Sequence, residues 1–179
     1  APGEVQLVRV AAFPRADLPQ GEYWARIGVQ AIPPSATGSP DQRGISVGVG
    51  IQVKTVLPVF YRHRQVATGV QMDDVVPTRA ADSPILRPTF TRSGSAAALL
   101  AVETTVLDAS GGVIAKATRQ AAVYRTLSPR YAVPLSSEQW ARATQVRVAV
   151  TSQRPDLPAG LPLPVLPVTR TSAIAPPPK

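Results

Sequence analysis

Residues 45–54 of the chain, ISVGVGIQVK, decide the fold class, because apolar residues occupy every odd position and small or polar residues every even one. The apolar members are all β-branched, and an alternation of period two is typical of a strand with one apolar face. The same alternation recurs along much of the chain between clusters of turn residues. We therefore predict an all-β protein, and short strands at roughly ten-residue spacing favour β-sandwich modules.

Further strands are predicted on both sides of this segment. Residues 22–32 alternate so that their odd positions share one apolar face, and a shorter run of the same kind covers residues 5–10. Later strands are predicted at residues 66–71, 85–91, 97–107, 113–124, 131–135 and 145–151.

Turn and cap residues mark the ends of some elements. The segment DASGG at 108–112 predicts a hairpin turn, because glycine readily adopts the positive φ that such turns need. The segment SSEQWAR at 136–142 begins with a serine cap and predicts one helical turn at most. Beyond Arg154 prolines become frequent, so residues 153–179 are predicted to form an extended, proline-rich tail. Whether this tail lies along the sandwich or binds a partner stays open.

The residue composition argues against catalysis. Proline contributes 20 of the 179 residues, and each interior proline costs a helix about 3 kcal/mol, so long helices are not expected. The absence of cysteine excludes disulfides, thiolate metal sites and cysteine nucleophiles. The single histidine, His63, lies between two arginines and is interpreted as an exposed linker residue. We predict a protein that is not an enzyme, with no catalytic residues, no cofactor and no metal site.

The net charge of +8 raises the question of an acidic partner. The arginines are scattered singly along the chain, and no aromatic residues alternate with them to stack on bases. A solvated basic surface is therefore favoured over nucleic-acid binding. No apolar run approaches the roughly 20 residues that span a bilayer, so no membrane span is predicted.

Two segments carry a resemblance to a known family. The sequence YWARIGVQAIPP at 23–34 and the sequence GIQVKTVLPVFYR at 50–62 together resemble the junction of periplasmic pilus-assembly chaperones of the chaperone-usher type. In that family these elements join two immunoglobulin-like domains. The resemblance implies a partial immunoglobulin-like module at 1–62, which lacks its first strands, a second such module at 63–152, and the proline-rich tail at 153–179.

The resemblance also implies a function. Members of the family cap incomplete pilin subunits by adding a strand to them, so that apolar side chains of the chaperone fill the subunit's groove. Here the donated strand would be residues 45–57, the partner a pilin-like subunit in the periplasm, and an outer-membrane usher a further implied partner. The implied subunit-binding residues are Ile45, Val47, Val49, Ile51, Val53 and Leu57.

One position departs from the family pattern. A lysine that helps to bind the subunit's terminal carboxylate in the best-known branch is replaced here by Pro58. Lys54 and Arg26 are the candidate replacements for this anchor. Because proline has no backbone N–H, Pro58 is interpreted as the point at which the strand leaves its sheet.

Other interpretations fit the same residues. The alternation in 45–54 also describes a strand that packs only within its own sandwich. A structural surface or filament component, in which this strand pairs with a neighbouring copy, is the main alternative function. A basic binder of nucleic acid or polysaccharide ranks third.

Overall fold

The computed structural model describes residues 7–30, 52–73, 75, 77–80 and 83–174, without the side chains of residues 79, 80, 83 and 84. The chain divides into two compact units, Ala1–His63 and Arg64–Lys179. Within the described ranges the regular secondary structure is antiparallel strand, apart from one helix of 6 residues. The prediction of an all-β protein is confirmed.

The first unit contains a hairpin of two long strands, β1 (Gly21–Gln30) and β2 (Lys54–His63). The two strands pair antiparallel along their full length, and in the described part of this unit neither has another strand as a neighbour. The predicted strand over residues 5–10 is wrong at 7–10, which are irregular and exposed. Alternation alone does not make a strand, because each strand also needs a hydrogen-bonding partner.

The structure corrects the sequence interpretations of two residues of β2, Pro58 and His63. Pro58 does not mark the point where β2 leaves its sheet, because Pro58 pairs with Arg26 and the ladder continues to the end of the strand. An edge strand accepts proline, since only one of its edges needs backbone donors. His63 is the last residue of β2 rather than an exposed linker residue. It is half-buried, and its ring stacks on Tyr61 with 6.2 Å between the ring centroids.

The described part of the second unit forms three sheets. Its elements are β3 (Thr68–Met72), β4 (Pro77–Ala80), β5 (Ser83–Leu86), β6 (Phe90–Gly94), β7 (Ala98–Leu107), β8 (Val113–Val123), β9 (Thr126–Leu127), β10 (Tyr131–Ala132), α1 (Ser137–Arg142), β11 (Gln145–Thr151) and β12 (Val168–Ala173). One sheet has four strands in the order β12-β11-β7-β8, and the other two have three strands each, β3-β6-β9 and β10-β5-β4. All neighbouring strands are antiparallel.

One hydrophobic core connects the three sheets of the second unit. Val70 and Phe90 enter it from β3 and β6, Leu86 from β5, and Leu100 and Val148 from the central strands β7 and β11 of the four-stranded sheet. Along β11 buried valines alternate with less buried residues, which is the period of a strand that covers a core with one face. Sheets that share one core in this way are consistent with a β-sandwich.

Most of the predicted elements of the second unit are found close to their predicted positions. The predicted strand over 85–91 is divided into β5 and β6, which are separated by a short segment that contains Pro88. The predicted helical turn is α1, which at 6 residues exceeds the single turn predicted, and it has a complete capping box. The Ser136 hydroxyl accepts a hydrogen bond from the backbone N–H of Gln139 at 3.2 Å, and the Gln139 side chain accepts one from the backbone N–H of Ser136 at 2.9 Å.

The region predicted to be a proline-rich tail contributes to the second unit. Its residues 168–173 form β12, which pairs with β11, and Val165 is buried in the core. Arg154 lies nearly buried where the region begins, donates to the carbonyl oxygen of Leu100 at 3.5 Å and forms an ion pair with Asp156 at 2.7 Å. The contacts of Arg154 and the burial of Val165 hold this segment against the sandwich.

The predicted hairpin turn between β7 and β8 is organised by the carboxylate of Asp108. This carboxylate accepts hydrogen bonds from the hydroxyl and backbone N–H of Ser110 and from the backbone N–H of Gly112, at 2.6–2.9 Å. Gly111 supplies a positive φ of 84°. The hydrogen bonds, that of the Ser110 hydroxyl first, lower the pKa of Asp108 to about 2.

This low pKa predicts how stability depends on pH. Because the folded-state pKa lies below the ordinary value of 3.8, ionised Asp108 stabilises the fold fully above about pH 4, and the contribution is lost as the pH falls through about 2. Asp108→Asn, which resembles the protonated form, should be less stable than the parent at pH 7 and should converge with it towards pH 2. Urea unfolding of both proteins across this range measures the difference. A difference that stays constant from pH 7 to pH 2 would contradict the prediction.

Candidate functional site

The hairpin of the first unit has two chemically different faces. Side chains alternate along each strand, and the register therefore places the odd-numbered residues of both strands on one face and the even-numbered residues on the other. The odd-numbered set, which we call the neutral face, has no lysine, arginine, aspartate or glutamate; it consists of Gly21, Tyr23, Ala25, Ile27, Val29, Thr55, Leu57, Val59, Tyr61 and His63. The even-numbered set, the basic face, contains Arg26, Lys54 and Arg62 and one acidic residue, Glu22.

The neutral face exposes large apolar side chains. Leu57 is 49% exposed and Val29 is exposed to the same extent, while Val53, directly before β2, is more exposed still. Exposed apolar surface of this kind marks interaction sites. The neutral face therefore has the properties of a surface that another strand or sheet can cover.

An apolar groove of about 500 Å³ lies beside the end of the hairpin that contains Tyr23 and Tyr61. Its lining residues are Val10, Ala11, Ala12, Tyr23, Trp24, Ala25, Ile27, Val59, Phe60 and Tyr61. The Tyr23 hydroxyl donates a hydrogen bond to the carbonyl oxygen of Pro19 at 2.8 Å, which fixes the ring at the edge of the groove. The groove brings apolar and aromatic surface together within the first unit.

The two candidate carboxylate anchors lie on the basic face but do not converge. The guanidinium of Arg26 lies over the ring of Trp24, 5.5 Å from its centroid, which is a cation–π contact. The Lys54 side chain lies across Gly28, where an added Cβ would approach the Lys54 Cε to 2.9 Å. The backbone of Lys54 is about 13 Å along the ladder from that of Arg26, at about 3.3 Å per residue, and its side chain reaches back over Gly28, whereas Arg26 turns the other way, towards Trp24.

An ion pair that sequence analysis missed joins the two strands. Arg62 Nε lies 2.9 Å from Glu22 Oε2, and the Glu22 side chain is only 3% exposed. The two residues are opposite each other in the ladder, although 40 positions separate them in the sequence. Pairing the two predicted strands in the correct register would have found this contact, but neither residue gives a local signal.

The structure describes only part of the predicted subunit-binding strand. Val53 and Leu57 are described and both are exposed; Leu57 lies on the neutral face, and Val53 lies directly before β2. Ile45, Val47, Val49 and Ile51 lie outside the described residues.

Two further observations concern the described residues. No group of three or more histidine, aspartate or glutamate side chains that could hold a metal ion occurs in the part of the chain that the structure describes. Over the same part, no helix has the length and apolar character needed to cross a membrane.

Comparison with known proteins found no match to this chain among protein-family models, curated proteins or solved structures. The function is therefore argued from the residues and from the geometry of the hairpin.

Proposed function

We propose that this protein is a periplasmic chaperone of the pilus-assembly type, which caps pilin-like subunits by donating a strand from residues 45–57. The observation that supports this most strongly is the exposure of Leu57 on the neutral face and of Val53 directly before β2, a strand that has one strand neighbour among the described residues. A partner strand can add to the other edge of β2, and the apolar side chains can enter its groove.

The proposal includes the finer architecture. The two units would be immunoglobulin-like modules, with an outer-membrane usher as a further partner after the subunit is bound. Antiparallel sheets around one core in the second unit, and a long antiparallel hairpin in the first, support this interpretation.

The energetics of strand addition limit where the subunit would pair. Complete burial of a leucine or valine side chain contributes about 1.5–3 kcal/mol, so each half-exposed residue of the neutral face can still contribute about half of this. Pro58 lacks a backbone donor, so a partner strand that extends past it loses one hydrogen bond. We therefore place the pairing before Pro58, where Val53 and Leu57 lie.

Adjacent residues on opposite faces provide a matched test. Leu57 and Val56 are 49% and 50% exposed, but Leu57 lies on the neutral face and Val56 on the basic face. Leu57→Asp is expected to lower the affinity for a co-expressed pilin-like subunit by about tenfold or more, because a charge would be buried in the apolar groove. Val56→Asp should leave the affinity nearly unchanged. Co-purification followed by titration of the separated partners measures both.

The controls distinguish binding from folding. Circular dichroism and urea unfolding of the two variants should agree with the parent, since both positions are exposed. Equal loss of binding in both variants would contradict donation through the neutral face. If the purified parent polymerises without any subunit, and Leu57→Asp abolishes the polymer, the structural-component function replaces the chaperone function.

A further inference from the structure

The last described strand, β12, contributes little buried surface to the second unit. It lies at the edge of the four-stranded sheet, and among the described strands its ladder partner is β11. None of its residues is fully buried, whereas its neighbour β11 contributes three fully buried valines to the core. The sandwich therefore depends on β11, while β12 mainly satisfies the backbone edge of β11.

The connection that precedes β12 is unusual for two neighbouring antiparallel strands. Such strands can be joined by a turn of two residues, but here residues 152–167 lie between β11 and β12. The prolines of this connection are Pro155, Pro158, Pro162, Pro164 and Pro167. Proline-rich segments are semi-rigid spacers of about 3.1 Å per residue, so the connection is long enough to reach about 50 Å when extended.

The connection closes on the same molecule by folding back, since its ends come within about 5 Å of each other when β12 pairs with its own β11. Two turns fold it: the Leu157 N–H donates to the carbonyl oxygen of Arg154 at 3.0 Å, and the Leu161 N–H donates to that of Pro158 at 3.1 Å. Its ends are held by the contacts of Arg154 with Leu100 and Asp156 and by the Val165 N–H, which donates to Ser152 Oγ at 3.3 Å. The same contacts can form when the linker crosses to another molecule.

We propose that β12 is exchanged between two copies of this chain, so that each copy's β12 pairs with the β11 of the other. The second copy is the occupant that fits, because its β11 offers the identical register, from Gln145↔Ala173 to Val150↔Val168, and the identical core contacts for Val168. Closed and exchanged forms then differ only in the linker, and high protein concentration favours exchange. This inference concerns the second unit and does not depend on the proposed chaperone function.

The absence of cysteine from the chain allows a direct test. Arg147 and Thr171 face each other across β11 and β12, and both are exposed. Single variants Arg147→Cys and Thr171→Cys are mixed, unfolded, refolded together at high concentration and oxidised. Exchange is expected to give at least fivefold more disulfide-linked dimer in the mixture than in either variant refolded alone, because only exchange brings the two cysteines together in register.

Two further samples establish the background and the geometry. A mixture of Arg147→Cys with Thr118→Cys, an exposed threonine on β8, gives the level of collisional crosslinking. The double variant Arg147→Cys/Thr171→Cys at low concentration should form an internal disulfide, which shows that the pair can be bridged. Linked dimer in the test mixture no higher than in the Thr118→Cys mixture, with the internal disulfide present, would overturn the proposal.

Discussion

Leu100→Ala is expected to lower the free energy of unfolding of the second unit by about 3–5 kcal/mol. Leu100 is 0% exposed and lies on β7, a central strand of the four-stranded sheet, in contact with the core that joins all three sheets. Truncation removes buried methyl groups and leaves a cavity that surrounding strands cannot close without disturbing their hydrogen bonds. A loss of this size is a large fraction of the 5–15 kcal/mol that is typical of a domain.

The same substitution at an exposed leucine is the matched control. Leu166 is 87% exposed and belongs to the same unit, so Leu166→Ala should change the unfolding free energy by less than about 0.5 kcal/mol. Urea unfolding in a Trp24→Phe background measures both variants, because Trp140 of α1 is then the only tryptophan and reports the second unit. Equal losses for the two leucines would contradict the core described above.

Most strands of the second unit could be predicted from local patterns. In β11 core burial agrees with the alternation, because alternate valines enter the core. β7 was predicted as a strand as well, although nearly all of its residues are buried and its burial does not alternate. The turn at Asp108 and the cap at Ser136 were also local signals, in which one polar side chain satisfies nearby backbone donors. Local chemistry and tertiary packing favour the same structure at these positions.

β12 could not be predicted in this way because its surroundings have the composition of an extended tail. The segment VTRTSA has β-branched residues, but it follows a run of prolines and contributes little apolar surface. It becomes a strand because β11 offers a free backbone edge in register, which is a tertiary property. The opposite error occurred at residues 7–10, where the alternation is present and the described residues supply no partner strand.

In the candidate site, too, some features could be predicted from local sequence patterns and others could not. The apolar odd-numbered face of β1 follows from the alternation of its sequence, whereas Leu57 was named as a binding residue through the family resemblance. The ion pair between Glu22 and Arg62 could not be predicted, because it depends on the register of strands that are distant in the sequence. Register is also what determines the faces, since a shift by one residue moves every side chain to the other side.

Arg62→Met is therefore expected to destabilise the hairpin by about 2–3 kcal/mol. Removing one partner of a buried ion pair costs about 3–5 kcal/mol, and the value is reduced here because Arg62 remains 24% exposed. The substitution keeps most of the aliphatic length but removes the guanidinium that lies 2.9 Å from the nearly buried Glu22 carboxylate. Urea unfolding in a Trp140→Phe background measures the loss, because Trp24 of β1 is then the only tryptophan.

The double variant Glu22→Leu/Arg62→Met separates the cost of an uncompensated charge from a general loss of packing. Replacing both partners by apolar residues should recover most of the stability, since no charge is then left in a buried position.

Stability, however, is not the only function of the pair. Both faces of the hairpin contain apolar residues, so hydrophobic burial alone selects the register weakly, and the Glu22↔Arg62 row is a polar contact that a one-residue shift would break. The double variant should therefore be stable and still bind a pilin-like subunit less tightly than the parent, because Leu57 would no longer be held on the neutral face in every molecule. Full binding by the double variant would show that the ladder fixes the register without the ion pair.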